Sequence, residues 1–238
     1  PVEVAPTSHY GMGGVAVDDR GETDVDGLFA IGETMAGVHG ANRLGGNSLA
    51  ETVAYGVVAG ERIAERVDGP GSVPDDLRER LVEPHLGGLR GIANSDGDHD
   101  VDAVLADLRE LMWDHAGILR DEPSLREGLD RLNDVSEQAA NMRVGPVTSE
   151  SFELAVDAGF MIVAAEAVLR GALKREESRG AHYRTDFPDI DPDWRTNVYF
   201  DAADVGGMRL RTEPVDDPSE GVQAALDEGH ELDYHQLE

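Results

Sequence analysis

Three stretches beyond residue 100 repeat apolar residues every three or four positions, a spacing that lines one face of an α-helix. Val101, Val104, Leu105, Leu108, Leu111 and Met112 mark the first stretch, and Leu125, Leu129, Leu132 and Val135 the second. The third runs from about Glu150 to Glu177 with Leu154, Ala158, Met161, Ile162, Ala165, Val168, Leu169 and Leu173. Asp121-Glu122-Pro123 reads as the start of the second helix, because proline suits a first turn whose N–H groups lack helical partners anyway. Each apolar face must bury against another, so the three helices and their short loops predict a small antiparallel bundle. Asp-Gly-Pro-Gly-Ser-Val-Pro-Asp at 68–75 sets this part off as a linker by composition. From Arg179 onward the chain is rich in proline and aspartate. It is expected to be an extended tail packed on another part of the protein, with its last residues disordered.

The first 67 residues follow a different pattern. Asp18-Asp19-Arg20-Gly21 reads as a turn, and Leu28-Phe29-Ala30-Ile31 as a short strand bounded by Gly27 and Gly32. The loop Gly40-Ala41-Asn42-Arg43-Leu44-Gly45-Gly46 leads into a helix with Leu49, Val53, Val57 and Ile63 at near-helical spacing up to about Val67. Asn47 or Ser48 can cap that helix, and Glu51 is expected in its first turn. Glycines let a backbone approach a flat ligand closely, and a helix start offers free N–H groups to an anion. Arg43 can clamp a carboxylate bidentately, and His9, just before the Gly13-Gly14 pair, supplies a second donor. On residue types alone a structural role for each stays open, since glycine-rich loops before helices are common.

Charge and cysteine count narrow the classes of function. There are 49 acidic against 20 basic residues, a net charge of −29, and Lys174 is the only lysine. That surface opposes non-specific binding to nucleic acid or to an anionic membrane. It suits a protein kept hydrated in concentrated salt, where self-repulsion is screened, and a halophilic source is expected. With no cysteine the chain forms no disulfide and ligates no iron–sulfur cluster or Cys-held zinc; no metal ligands are expected. No apolar run is long enough to span a membrane, and no basic segment followed by an apolar one marks a secretory leader.

Longer strings add a resemblance. Pro6-Thr7-Ser8-His9-Tyr10-Gly11-Met12-Gly13-Gly14, Gly27-Leu28-Phe29-Ala30-Ile31-Gly32-Glu33 and His39-Gly40-Ala41-Asn42-Arg43-Leu44-Gly45-Gly46-Asn47-Ser48-Leu49-Ala50-Glu51 closely resemble the flavoprotein subunit of succinate dehydrogenase and fumarate reductase. Glu177-Ser178-Arg179-Gly180-Ala181-His182-Tyr183-Arg184-Thr185-Asp186-Phe187-Pro188 is similar to a later signature of the same family. The resemblance implies an α/β fragment of an FAD-binding domain over 1–67, a helical bundle domain over 76–178 and an extended C-terminal segment over 179–238. It implies that His9 and Arg43 bind the carboxylates of succinate or fumarate. Glu33 would hydrogen-bond FAD, Ser48 and Leu49 would meet the isoalloxazine through their main chain, and Asn47, Gly13 and Gly14 would complete the cofactor contacts. His39 is a second-tier residue lining the site, and Arg179 and Arg184 are expected to be ion-pair partners that dock the tail.

The resemblance also implies what this stretch lacks. The Gly-x-Gly-x-x-Gly fingerprint for the ADP part of FAD, the arginine that moves the proton and the histidine that bears covalent FAD have no match here. No catalytic residue is assigned within the chain; those residues are expected upstream, and the isolated chain is expected to be inactive. By the family pattern an iron–sulfur subunit would take the electrons. Membrane-anchor subunits would hold the enzyme at the cytoplasmic face of the membrane, without insertion of this chain, and a halophilic archaeon is the expected source. One alternative is an enzyme resembling L-aspartate oxidase, although Leu44-Gly45-Gly46 follows the loop where that family usually has Met-Ala-Ser. The other is a non-catalytic helical interaction module.

Overall fold

In the computed structural model, residues 9–67, 69, 74–203 and 207–227 are described. The three periodic stretches fold as α3 (Val101–Ala116), α4 (Glu122–Ala140) and α5 (Glu150–Lys174), each packed on the other two. Their seam is apolar: Val104, Leu105, Leu108 and Leu111 of α3, Leu125 and Leu132 of α4, and Ala158, Ala165 and Leu169 of α5 are no more than 4% exposed. Fully burying one such leucine or valine stabilises the fold by about 1.5–3 kcal/mol. Side chains cap all three starts. Asp100 accepts from the N–H groups of Asp102 and Ala103, Asp121 from Ser124, and Ser149 from Phe152. Two residues each from β1 (His99–Asp100) and β2 (Met142–Arg143) pair in parallel, tying the start of α3 to the turn after α4.

A helix not separated in the sequence, α2 (Asp75–Ile92), precedes the bundle. Pro84 and the glycines at 87, 88 and 91 break its apolar spacing, and none of its residues is buried. Only its end, at Ile92, packs against the bundle core. Of the linker expected at 68–75, Asp68 and residues 70–73 lie outside the described residues, and Asp75 already begins α2.

The third helix stops at Lys174, short of Glu177, because a buried arginine takes over its end. Arg184 is 0% exposed. Its Nη1 donates to the carbonyls of Ala172 at 2.9 Å and of Leu173 and Arg175 at 3.3 Å, main-chain acceptors at the end of α5. Its Nε and Nη2 grip the Asp186 carboxylate at 2.7 and 2.6 Å. Asp186 in turn accepts from the N–H of Glu122, the first residue of α4, at 2.9 Å. One bidentate ion pair thus serves two helix ends of opposite polarity. Arg179 is also ion-paired, with the fully buried Glu177 at 2.8 and 2.9 Å.

Before the bundle, α1 (Asn47–Arg66) packs on a 3-10 turn at Gly32–Thr34. The strand expected at Leu28–Ile31 is reduced to one antiparallel bridge, Phe29 to Glu22, flanked by bonds from Thr23 N–H to the Leu28 carbonyl and from Ala30 N–H to the Gly21 carbonyl. The orientation of α1 is unusual. Leu49, Val53 and Val57 are 76%, 68% and 57% exposed, while Glu51 and Ala59 are its buried residues.

The helices α1 to α5 and the segment through Asp189 form one compact unit, and Ile190–Glu238 forms another. In the second, β3 (Thr196–Ala202) and β4 (Met208–Pro214) make an antiparallel hairpin, with Arg211 stacked 4.3 Å over the Tyr199 ring, followed by α6 (Glu220–Asp227). The extended C-terminal segment therefore contains a hairpin of two seven-residue strands, set among prolines and aspartates that obscure it in the sequence. The last residues, 228–238, lie outside those described. Among the described residues no helix is long and apolar enough to cross a membrane.

Replacing Arg184 by alanine leaves the end of α5 and the Asp186 charge without their donor. It should lower unfolding stability by about 3–5 kcal/mol in a denaturant titration. The Arg184 bonds hold the Asp186 carboxyl down at about 2, against an ordinary 3.8. Its stabilisation is therefore complete above 3.8 and is lost as the pH falls towards 2. Unfolding followed between pH 5 and 2 should show the gap between wild type and Asp186→Asn closing as acid is added.

Candidate functional site

The loop at 39–46, the segment at 9–14 and the first turns of α1 converge on one buried carboxylate. Glu51 lies one turn into α1 and points inward, its side chain 2% exposed. The expectation that it serves the first turn as a dipole partner is therefore corrected: the packed side of α1 is the one that carries Glu51. Its Oε2 accepts from the Tyr10 hydroxyl at 2.7 Å and lies 3.3 Å from His39 Nε2, which is itself 3.2 Å from the same hydroxyl. The rings of Tyr10 and His39 meet edge to face at 5.1 Å. Burial, followed by the bond to Glu51, pushes the Tyr10 phenol up to about 12, so it remains a donor at any ordinary pH.

Arg43 completes the cluster. Its guanidinium carbon lies 4.9 Å over the Tyr10 ring, and Nη1 donates to the carbonyl of its neighbour Leu44 at 3.0 Å. Among the described residues its Nε is buried without a hydrogen-bond partner, as is the second oxygen of Glu51. The loop carrying Arg43 is held from the far side by the turn at 179–182, where the Ala181 N–H donates to the Ala41 carbonyl at 3.1 Å.

The other expected residues surround this cluster. His39 is joined to it by the contacts above. His9, next to Tyr10 in the chain, is exposed, and no hydrogen bond or ion pair links it to Arg43. Glu33 accepts from the Gly11 N–H at 2.7 Å through one oxygen. The helix cap differs from expectation: Gly46, in a left-handed conformation, stands at the N-cap with no side-chain bond, and Asn47 and Ser48 are the first helical residues. Asn47 returns its N–H to the Leu44 carbonyl at 3.2 Å. The N–H groups of Ser48 and Leu49 come next at an end with no side-chain cap, and Leu49 is 76% exposed. Gly13 sits at φ 112° in open space, whereas at Gly14, at φ 139°, a Cβ would fall 2.2 Å from the Thr34 carbonyl oxygen.

Tyr10 and Glu51 are site residues that the sequence does not single out. Their signal is positional: Glu51, Tyr55 and Ala59 share the face of α1 opposite Leu49, Val53 and Val57, and that opposite face draws attention because it is apolar. Among the described residues no group of histidines and carboxylates is placed to hold a metal ion.

Residues 105–225 match the family model for the C-terminal part of the fumarate reductase flavoprotein, and residues 1–49 match an FAD-binding domain model. The chain is 38% identical over 201 residues to a component of the CoM/CoB fumarate reductase of Methanothermobacter marburgensis, covering 83% of this chain and 36% of that protein. It is 40% identical over 200 residues to an L-aspartate oxidase of Pyrococcus abyssi, covering 84% of this chain and 34% of that protein. Among solved structures, a quinol fumarate reductase chain of E. coli superposes with a TM-score of 0.82 at 32% identity, over 91% of this chain and 38% of that one. The chain thus spans about a third of the length of the curated relatives it matches.

Gly14→Ala combines a strained φ with a clash against backbone, which cannot yield. It should cost clearly more stability than Gly13→Ala, where strain of about 1–3 kcal/mol acts alone. Paired thermal melts of the two variants measure the difference.

Proposed function

Because the chain belongs to the fumarate reductase flavoprotein family, we propose that it supplies part of the substrate and cofactor site of a flavoenzyme that interconverts succinate and fumarate. One observation carries the proposal: Arg43 offers a buried, unpartnered Nε in the loop that leads directly into the uncapped start of α1. A buried donor without an acceptor is costly, and a substrate carboxylate is an acceptor of the right shape and charge. His9, exposed beside Tyr10, takes the substrate's other carboxylate. Gripping both ends of a dicarboxylate removes its freedom to turn and lowers the entropic part of the barrier.

Residues 1–49 are part of an FAD-binding domain. When bound, FAD supplies the two-electron redox chemistry. The groups present suit it: Glu33 spends one oxygen on Gly11 and keeps the other for a cofactor hydroxyl, and the N–H groups of Ser48 and Leu49 favour a negative edge. Asn47, Gly13 and Gly14 shape the approach, and His39 lines the site. In this reading residues 1–67 close the FAD-binding domain, 76–178 form the helical domain and 179–238 the C-terminal segment.

Activity belongs to a longer polypeptide that includes this segment; the segment alone turns over no substrate. Electrons leave to an iron–sulfur partner, and membrane-anchor partners hold the enzyme at the cytoplasmic face of the membrane. The −29 charge with a single lysine supports a salt-adapted archaeal source. A second reading, oxidation of L-aspartate, is favoured by the 40% identity to an L-aspartate oxidase. Turnover of succinate against aspartate by the complete flavoprotein separates the two. In that protein Arg43→Ala should lower kcat/KM at least about 100-fold, the loss of one or two charge-assisted hydrogen bonds, and unchanged kcat/KM would remove Arg43 from the site.

A further inference from the structure

We infer, building on the carboxylate role assigned above to Arg43, that Glu51 is a positioning residue that acts through Tyr10 to set the direction in which Arg43 presents its donors. A carboxylate 2% exposed needs strong partners, and Glu51 has the Tyr10 hydroxyl and His39 Nε2. No lysine or arginine is bonded to it among the described residues. A carboxyl buried this way on α1 is a poor device for stability alone.

The geometry shows what it does instead. Arg43 is anchored by one main-chain carbonyl and by the face of the Tyr10 ring. An arginine with so few bonds keeps much of its rotamer freedom and loses it only when a ligand binds. The ring removes that freedom beforehand if the ring itself cannot turn. Tyr10 is held at its hydroxyl by Glu51 and at its edge by His39. Donation of the phenol hydrogen to a carboxylate also enriches the ring face, which strengthens its hold on the guanidinium. His39, whose Nε2 must carry the hydrogen to bond Glu51, keeps the carboxylate turned towards Tyr10 and leaves Glu51 Oε1 unpartnered.

The test uses the complete flavoprotein with FAD bound and five variants: Glu51→Gln, Tyr10→Phe, Tyr10→Leu, Arg43→Lys and the Glu51→Gln/Arg43→Lys double. Malonate, a dicarboxylate with no pair of central carbons to oxidise, is titrated by its perturbation of flavin absorbance. KM and kcat for fumarate, FAD content and Tm are measured alongside. Glu51→Gln and Tyr10→Phe should weaken malonate and raise KM about tenfold while kcat, FAD content and Tm stay near wild type. Tyr10→Leu should weaken binding further, and the double variant should bind no worse than Arg43→Lys alone.

If Glu51→Gln and Tyr10→Phe leave malonate binding and KM unchanged while Arg43→Lys weakens both, Glu51 only ties α1 to the 9–14 segment and the inference is overturned. If Arg43→Lys itself changes neither, the carboxylate role of Arg43 fails first and the inference falls with it. Should Glu51→Gln fail to retain FAD, Tyr10→Phe, which removes a single hydroxyl, decides the matter.

Discussion

The Arg184–Asp186 ion pair is the point on which the helical part of the molecule depends. A guanidinium with no exposure is stable only if its donors are matched, and here they are matched by main-chain acceptors and a carboxylate. The acceptors are the last carbonyls of α5, and the carboxylate is shared with the first N–H of α4. Relative position of the two helices is therefore set at their ends as well as along their apolar seam. The same segment that delivers Arg184 carries Ala181, whose N–H holds the Arg43 loop at Ala41. The helical bundle and the candidate site are thus joined through one short stretch of chain, and that stretch is one of the family-like strings.

The site follows the opposite logic. Its centre is a carboxylate whose partners are the Tyr10 hydroxyl and the His39 ring, and the two buried atoms without a partner among the described residues, Arg43 Nε and Glu51 Oε1, lie in the same cluster. A fold that matched every buried donor in Arg184 leaves one unmatched in Arg43. That contrast separates the two arginines: every nitrogen of Arg184 is bonded within the chain, whereas Arg43 Nε has no partner among the described residues. Leu49, Val53 and Val57 are exposed on the side of α1 away from this cluster.

Much of the bundle was legible because burial repeats at the pitch of a helix. Leu105, Leu108 and Leu111, like Leu125 and Leu132, fall on one face of an α-helix and are buried together there. The start of α4 at Asp121-Glu122-Pro123 was legible for a similar reason, since the Asp121 bond reaches only three residues ahead, to Ser124. Harder to see were α2, whose glycines and proline break its pattern, and the hairpin of β3 and β4, whose pairing depends on residues up to 18 positions apart, as in Thr196 with Pro214. In α1 the apolar spacing is helical, yet the packed face is the one with Glu51 and Ala59, because spacing reports periodicity and not which side finds a neighbour.

The helices of the bundle, their apolar seam, the acidic surface and the family-like strings at Tyr10, Arg43 and Arg184 follow from residues close together in the chain, and so from the amino-acid order alone. That Tyr10, His39, Arg43 and Glu51 form one cluster, that Gly46 and not Asn47 or Ser48 caps α1, and that every nitrogen of Arg184 is bonded while Arg43 Nε has no partner among the described residues depend on packing across the fold. Tyr10 and Glu51 are separated by 41 positions, and their hydrogen bond exists only once α1 has packed against the segment that carries Tyr10. Whether a charged side chain is satisfied depends on distances across the fold, and no local pattern of residues encodes them.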